Sequence, residues 1–366
     1  MFNRLYKIIQ TVLAIGVFLA IIVIIAYFTK FHNGLSDESK NWADFGSLLA
    51  GVFTFCSALA TIATLLFIHK ENEENKHIIK QQAEALAFEQ YLKHRDLFIK
   101  IMSDTVKTCP RKIEIYNVDE LYKNIFPSNN PTARPSYSVE INNTQACTPR
   151  DLTSILAMYS ILTDQIQSNS ADCAHTLLRL MGMLKINCLD HPSNGDLIFN
   201  GNNTGINIYS IYLKTNETVK VINSILYFTG NSQVKYIDHF ATSGLLTKAL
   251  IEHFNNKAAP RDTFYAVKNE PWLQDLEKLY IRTYNDTDFQ KIFKNTSIKL
   301  QLFFSTREKV ITLSKNPDDI INCHLQEDTK IKNKKDISQR EENCIKSASN
   351  TFNNIKKKLA ITKGTS

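Results

Sequence analysis

Two long stretches of this 366-residue sequence lack charge: no Asp, Glu, Lys or Arg occurs in residues 8–28 or 47–68. Proton relays and voltage sensors need charged groups inside the membrane. The absence of charge from both stretches therefore argues against either function. Each run is about as long as the ~20 residues that a helix needs to cross a ~30 Å hydrocarbon core. Backbone groups in lipid must hydrogen-bond within their own segment, so the runs predict a membrane α-helical hairpin over residues 1–69.

Sequence motifs of catalysis and cofactor binding are also missing. The chain contains no G-x-S-x-G, no P-loop, no H-E-x-x-H and no Gly-rich dinucleotide fingerprint. The sequence therefore predicts neither an enzyme nor a bound cofactor. An unrecognised enzyme would need an acid/base cluster assembled from residues that are distant in the sequence, and no motif supports that alternative.

The seven cysteines include no C-x-x-C pair, which suits a reducing cytosol. Histidines lie near two of them, in Cys173-x-His175 and Cys188-x-x-His191, and zinc prefers thiolate and imidazole ligands. Residues two apart in a helix point to opposite sides, so Cys173 and His175 are poorly placed to share a metal. We predict buried cysteines and surface histidines here, and no metal site.

A removed signal peptide is the alternative interpretation of the first run, because Arg4 and Lys7 precede it like a charged n-region. The run is longer than the 7–15 residues of an h-region, and residues 26–29 do not form an A-x-A cleavage pattern. A retained membrane anchor is therefore predicted.

Positive charges near the ends of the two runs predict their orientation. Arg4 and Lys7 lie before the first run and three lysines follow the second, whereas the loop between them carries only Lys30 and Lys40. Lys and Arg concentrate on the cytoplasmic side, so both termini are expected in the cytoplasm. Trp42, Phe45 and Gly46 then anchor the outer end of the second span at the headgroup layer.

Residues 70–107 are predicted to form a charged helical stalk. They contain neither Pro nor Gly and are rich in Glu, Lys, Gln and Ala, which favour helix. At 1.5 Å per residue, such a helix could project roughly 50 Å. A lever and a coiled-coil seam are two interpretations, and an amphipathic helix packed on its own domain is the favoured third.

The rest of the chain is predicted to be a mainly α cytosolic domain with an irregular entry and a basic end. Residues 108–147 are rich in Pro and Asn, and β-prone residues 113–116 and 137–141 suggest a small two-stranded element. Residues 148–325 predict an α-helical domain that begins at a capping Thr148 with Pro149 at the first position. Further helices are predicted from about Ser170 and over 206–228, 234–254, 272–284 and 289–312, with residues 190–205 as the clearest loop.

The net charge of +7 is concentrated in the last segment. From Lys330 onward the chain carries ten Lys and Arg against three acidic residues, which accounts for the whole excess. We predict a basic flexible tail over 326–366, in which Lys356, Lys357 and Lys358 are candidate ligands for phosphates of nucleic acid or anionic lipid. A solvated end without a ligand is the simpler interpretation.

Hydroxyl side chains recur at seven-residue spacing in the second run. Such spacing places them on one side of a helix, between small residues. The predicted membrane seam consists of Ser47, Gly51, Thr54, Ser57, Thr61 and Thr64. Close helix packing is one interpretation, with Gly16 and Ala20 of the first run as the matching small pair. A weakly polar lining formed by several assembled hairpins is the other.

The entry to the second run, Trp42-Ala43-Asp44-Phe45-Gly46 followed by Ser47-Leu48-Leu49-Ala50-Gly51, resembles that of bacterial two-span phage-defence proteins, the putative phage abortive infection proteins. Among them, the membrane effectors encoded beside retron reverse transcriptases are most similar. The likeness covers about the first hundred residues. Many relatives carry a second Gly sooner than Gly51, so helix approach is expected to differ here.

The resemblance implies an inner-membrane toxin, which forms homo-oligomers in the lipid bilayer when active. A partner complex of reverse transcriptase and its RNA–DNA product would keep it silent, and release would disrupt membrane integrity and stop the infected cell. The residues themselves leave a second hypothesis open, a membrane-tethered scaffold that binds protein or nucleic acid without opening the bilayer.

Overall fold

The computed structural model describes residues 2–30, 36–141, 150–238, 244–256, 264–315, 317–332 and 338–364. Within them the chain is mostly helical, which confirms the prediction of a mainly α protein. The helices are α1 (Phe2–Lys30), α2 (Ser39–Lys107), α3 (Val118–Ile125), α4 (Leu152–Gln167), α5 (Cys173–Met183), α6 (Ile211–Phe228), α7 (Gly244–Asn256), α8 (Pro271–Asn285), α9 (Thr287–Ile292), α10 (Lys294–Phe303), α11 (Arg307–Ser314), α12 (Asp318–Lys332) and α13 (Gln339–Gly364). The strands are β1 (Ile113–Ile115), β2 (Ile186–Cys188), β3 (Asp196–Phe199), β4 (Asn202–Asn207) and β5 (Tyr265–Lys268).

The chain divides into two units, which we name the hairpin unit (Met1–Glu89) and the C-terminal unit (Gln90–Ser366). In the hairpin unit, α1 and α2 run antiparallel: Gly16 lies against Cys56, and the rings of Tyr27 and Phe45 are 4.4 Å apart at their centroids. Both helices are long and apolar enough to cross a bilayer, judged by length and composition alone.

α2 is one uninterrupted helix of 69 residues that contains both the predicted second span and the predicted stalk. It ends at Lys107, just before Cys109-Pro110, as the sequence predicts. The last part of the predicted stalk packs on its own domain: Phe98 and Met102 are fully buried in the C-terminal unit. Residues 71–86 belong to the hairpin unit and are exposed.

The core of the C-terminal unit is built from the apolar faces of its helices. α4 and α5 contribute aliphatic side chains such as Leu162 and Leu177, and α8 and α10 contribute large aromatic ones such as Trp272 and Phe303. Thr148 and Pro149, the predicted start of α4, lie outside the described residues. Asp151 caps this helix instead, because its carboxylate accepts a 2.8 Å hydrogen bond from the Ser154 amide.

The strands differ from the prediction. β1 does pair antiparallel, but its partner is β2, with Ile113 opposite Cys188, and residues 137–141 form no strand. The predicted two-stranded element within 108–147 is therefore wrong in its pairing. The pairing joins the strand that follows α2 to the strand that follows α5, and the side chains of Ile113 and Ile186 are buried in it.

The predicted loop 190–205 contains β3 and most of β4, which form the antiparallel sheet β4-β3-β5. Asn200 and Gly201, both at positive φ, make the tight turn between β3 and β4. Because β4 extends to Asn207, the helix predicted from residue 206 begins at Ile211. Likewise, residues 234–238 are not helical, and α7 begins at Gly244.

The predicted flexible tail is largely helical. α13 spans 26 residues and packs against α8, with Ala348, Phe352 and Ile355 buried on one face at helical spacing. The basic composition of the segment is real, but the apolar residues between the lysines recur at three and four steps and form a packing face.

Candidate functional site

α2 packs on α1 through a face that differs from the predicted seam. The half-buried residues of its apolar part recur at three- and four-residue steps: Phe45, Leu49, Val52, Cys56, Leu59, Ala63 and Phe67. Gly16 of α1 lies against this face, where an added Cβ would come within 2.5 Å of the Cys56 sulfur. Thus Gly16 does allow close helix approach, and Ala20 lies one turn further along the same groove.

The hydroxyl-bearing side chains lie away from the α1 contact. Thr54 is two residues from Cys56, or about 200° around a helix of 3.6 residues per turn, and Thr61 stands in the same relation to Ala63. Ser57 and Thr64 lie about 100° from these contact residues, on the flank of the helix. All six predicted seam residues are exposed, and nothing lies within 4 Å of a Cβ built on Gly51. The pairing of Gly16 and Ala20 with this seam is therefore wrong within one chain. Gly16 and Ala20 lie in the contact between α1 and α2, whereas the six seam residues are exposed.

The threonine hydroxyls of this face have their donors satisfied within the helix. Each donates to the backbone carbonyl four residues earlier: Thr54 to Ala50 (2.8 Å), Thr61 to Ser57 (2.9 Å) and Thr64 to Ala60 (2.8 Å). This is the bond expected of hydroxyls in apolar surroundings. Each oxygen keeps acceptor capacity, so the face can meet lipid, another helix or water without a buried orphan donor.

The groove between α1 and α2 is apolar where it runs along residues 12–21 of α1. This part has a volume of about 390 Å³ and is lined by side chains such as Val17, Phe53 and Cys56. Towards the ends of the two helices at Lys30 and Asn41, the groove gains polar side chains, among them Asp44.

Aromatic rings gather where α1 ends and α2 begins. The Tyr27 ring lies 5.5 Å from Trp42 and 4.4 Å from Phe45, centroid to centroid. The Trp42 indole donates a 2.8 Å hydrogen bond to the Ser36 carbonyl and remains partly exposed. An amphipathic ring held in this way suits the membrane–water boundary predicted for it. Gly46, next to it, has open space around it.

A buried ion pair organises the C-terminal unit around β3. The Arg111 guanidinium contacts the fully buried Asp196 carboxylate at 2.9 and 3.4 Å and donates to the Gly205 carbonyl at 2.6 Å. Burial opposes the ionisation of Asp196, but hydrogen bonds from Arg111 and Asn207 outweigh it and hold the Asp196 pKa below its usual range. The pair ties the chain after α2 to the sheet.

The backbone beside this pair requires glycine. Gly195 has φ +84°, and a Cβ there would fall 2.3 Å from the Tyr209 ring. Tyr209 in turn donates a 2.6 Å hydrogen bond to Glu277 of α8. The close approach of Gly195 to Tyr209 thus connects the Asp196 site to a second buried carboxylate.

Glu277 is fully buried and hydrogen-bonded to neutral groups. Besides Tyr209, the amides of Asn269 and Asn255 donate to it at 2.8 and 3.2 Å. Burial raises the pKa of Glu277 above its usual value. The carboxylates of Asp196 and Glu277 both have protein partners at hydrogen-bonding distance. These hydrogen bonds account for the way β3 and α8 pack.

The Cys/His residues considered for zinc do not come together. Cys173 is buried in the core, and burial raises the pKa of its thiol to about 12. His175 is half-buried, and its Nε2 lies 3.1 Å from Nε2 of His253 on α7. Among the described residues, no group of three or more His, Cys, Asp and Glu could hold a metal ion.

The three candidate phosphate ligands lie on α13 and are not equivalent. Lys358 forms an ion pair with Asp275 of α8, with 2.6 Å between Nζ and Oδ2. Lys357 is exposed and Lys356 half-buried. Lys358 thus holds α13 on α8. Of the three lysines, Lys356 and Lys357 are available to a phosphate.

Comparison of the chain with family models, curated proteins and solved structures finds no match.

Proposed function

We propose that the protein is an antiphage membrane effector whose hairpins associate through the hydroxyl-bearing face of α2 and disrupt inner-membrane integrity. One observation carries this proposal: the face of α2 away from the α1 contact is exposed and lined with small and hydroxyl side chains. Threonine donors are satisfied within the helix, so the face can lie in lipid at rest and line a polar path when copies gather.

The regulation is proposed from the resemblance at Trp42 to Gly51. A complex of reverse transcriptase and its RNA–DNA product would bind the protein and keep its hairpins apart, and phage interference would release them. Expressing the chain alone and with its neighbouring genes tests this regulation. If the partner holds the toxin inactive, cells depolarise only when the partner is absent, as measured with a potential-sensitive dye.

The double substitution Thr54→Leu with Thr61→Leu is expected to abolish depolarisation, because it replaces the polar centre of the face with bulky apolar groups. Protein level in the membrane fraction should stay unchanged, since both positions are exposed and leucine suits lipid. The matched control is Phe55→Leu with Ile62→Leu, which changes two exposed residues on the flank of the same helix. Full depolarisation by the threonine variant would contradict the proposal.

A membrane-tethered scaffold is the second candidate, favoured by the exposure of Lys357 on α13. If the helix binds phosphates, Lys356→Gln with Lys357→Gln should weaken binding to a mixed-sequence oligonucleotide and lower the salt slope by up to about 2. Removal of residues 331–366 is unsuitable as a test, because it would also remove the buried side chains of α13 that pack against α8. A variant that binds as the parent does would leave this candidate without support.

A further inference from the structure

The unpartnered face of α2 continues beyond the apolar run. Two lines of residues at seven-residue spacing follow it, three or four residues apart, as in the a and d positions of a coiled coil. We name them the α2 seam: Gly51, Ala58, Leu65, Asn72, Ile79 and Leu86 in the first line, and Thr54, Thr61, Ile68, Asn75 and Gln82 in the second. All eleven are exposed in the hairpin unit.

The composition of the α2 seam differs between the part proposed to lie in lipid and the part proposed to lie in water. Small and hydroxyl residues occupy it up to Thr61, where lipid provides no hydrophobic drive and close backbone approach favours association. Beyond Leu65 the seam carries Ile68, Ile79 and Leu86 among three polar residues, and Ile79 and Leu86 are 63% and 46% exposed at heptad spacing. Large apolar residues repeated at heptad spacing on an exposed helix are typical of a face that packs on another helix.

Orientation and charge identify the partner as a second copy of this chain. Copies inserted in one membrane share their topology, so their α2 helices are parallel. In a parallel pair, the residue before one a position faces the residue five further along the partner helix. Here those two residues are Glu71 and Lys76, which carry opposite charges. Asn72 and Asn75 lie between them in the seam, where buried amides fix the register.

We propose that α2 self-associates in parallel and in register along the α2 seam, from Gly51 in the membrane to Leu86 outside it. The inference deepens the proposed function, on which its membrane part rests, by giving the orientation and register of the contact between copies and by extending it along the stalk. The stalk contacts do not depend on whether the assembly opens the bilayer.

Cross-linking of a single introduced cysteine tests the proposal. The full-length chain with Ile79→Cys, in vesicles of phosphatidylethanolamine and phosphatidylglycerol, is treated with a short bis-maleimide. The matched control is Gln81→Cys, exposed on the opposite side of the same turn, and the parent shows the background from native cysteines. We expect a dimer yield several-fold above both controls. Gln82→Cys, at a polar seam position, is the second variant if Ile79→Cys is poorly produced.

Charge exchange separates a seam between two copies from contact with another protein. Glu71→Lys places two like charges together and should lower the Ile79→Cys dimer yield about two- to fivefold. Adding Lys76→Glu in the same chain restores the opposite pairing and should restore the yield. Equal yields from Ile79→Cys and Gln81→Cys, or no rescue by the second exchange, would overturn the proposal.

The outcomes also distinguish this inference from the proposed function. If residue 79 cross-links and the Thr54→Leu, Thr61→Leu variant still depolarises cells fully, self-association stands and the proposed membrane-disrupting face is overturned. If that variant loses depolarisation and residue 79 does not cross-link, the membrane-disrupting face stands and self-association along the α2 seam is overturned.

Discussion

The substitution Asp196→Asn is expected to lower the free energy of unfolding of the C-terminal unit by about 3–5 kcal/mol. Asn keeps the volume of the side chain but removes its charge, and it leaves the buried Arg111 guanidinium without its main counter-ion. Arg307 loses a partner as well, because its Nε lies 3.7 Å from the same carboxylate. Breaking a buried pair from one side is costly since the remaining charge stays out of water.

Urea unfolding of the purified protein measures this change. A Trp42→Phe background makes the fully buried Trp272 the only tryptophan, so its fluorescence reports on the C-terminal unit. Asp190→Asn is the matched control: Asp190 also contacts Arg111, at 3.3 Å, but its side chain is 29% exposed. It should cost no more than about 1 kcal/mol. Equal losses from the two variants would show that the burial of Asp196 is not what matters.

The pH dependence of the Asp196→Asn effect follows from the depressed pKa of Asp196. The folded-state pKa lies below the unfolded value of about 3.9, so the stabilisation is fully present above that value. As pH falls through the folded pKa, the parent protonates Asp196 and loses this contribution. The difference between parent and variant should therefore be largest near neutral pH and shrink in acid.

Sequence patterns predict the long elements of this chain because those elements depend on local composition. The uncharged runs predict α1 and the first part of α2, and the absence of Pro and Gly from residues 70–107 predicts its second part. The helix predicted over 272–284 is α8, which begins one residue earlier at Pro271. The loop predicted over residues 190–205 is a hairpin in the structure. Asn200-Gly201 favours a two-residue hairpin turn, yet the surrounding Asn and Gly residues also fit an open loop.

The buried network could not be predicted, because burial of a charge leaves no local mark in a sequence. Arg111 and Asp196 are 85 residues apart and meet only once β3 has its sheet partners. The α2 face shows the converse limit. Spacing placed the hydroxyls on one line, but which side of α2 meets α1 depends on the Gly16–Cys56 contact, which no period in α2 reveals.

Phe352→Ala is expected to destabilise the C-terminal unit by about 3–5 kcal/mol, the usual cost of removing a buried aromatic ring. Phe352 is buried on α13 and stacks on His324 of α12, with ring centroids 3.7 Å apart. Ala348 and Ile355 lie beside it on the same face. The cavity left by the ring therefore opens between α13 and its neighbours.

The matched control is Asn353→Ala, one residue further along and exposed, which should change stability by no more than about 0.5 kcal/mol. Urea unfolding followed through Trp272 measures both, because α8 carries that residue and packs directly on α13. A flexible basic tail would make the two substitutions equally silent. The size of the Phe352 effect therefore decides whether this segment acts by its lysines alone or as a helix of the fold, and only the second allows the Lys358–Asp275 pair to form.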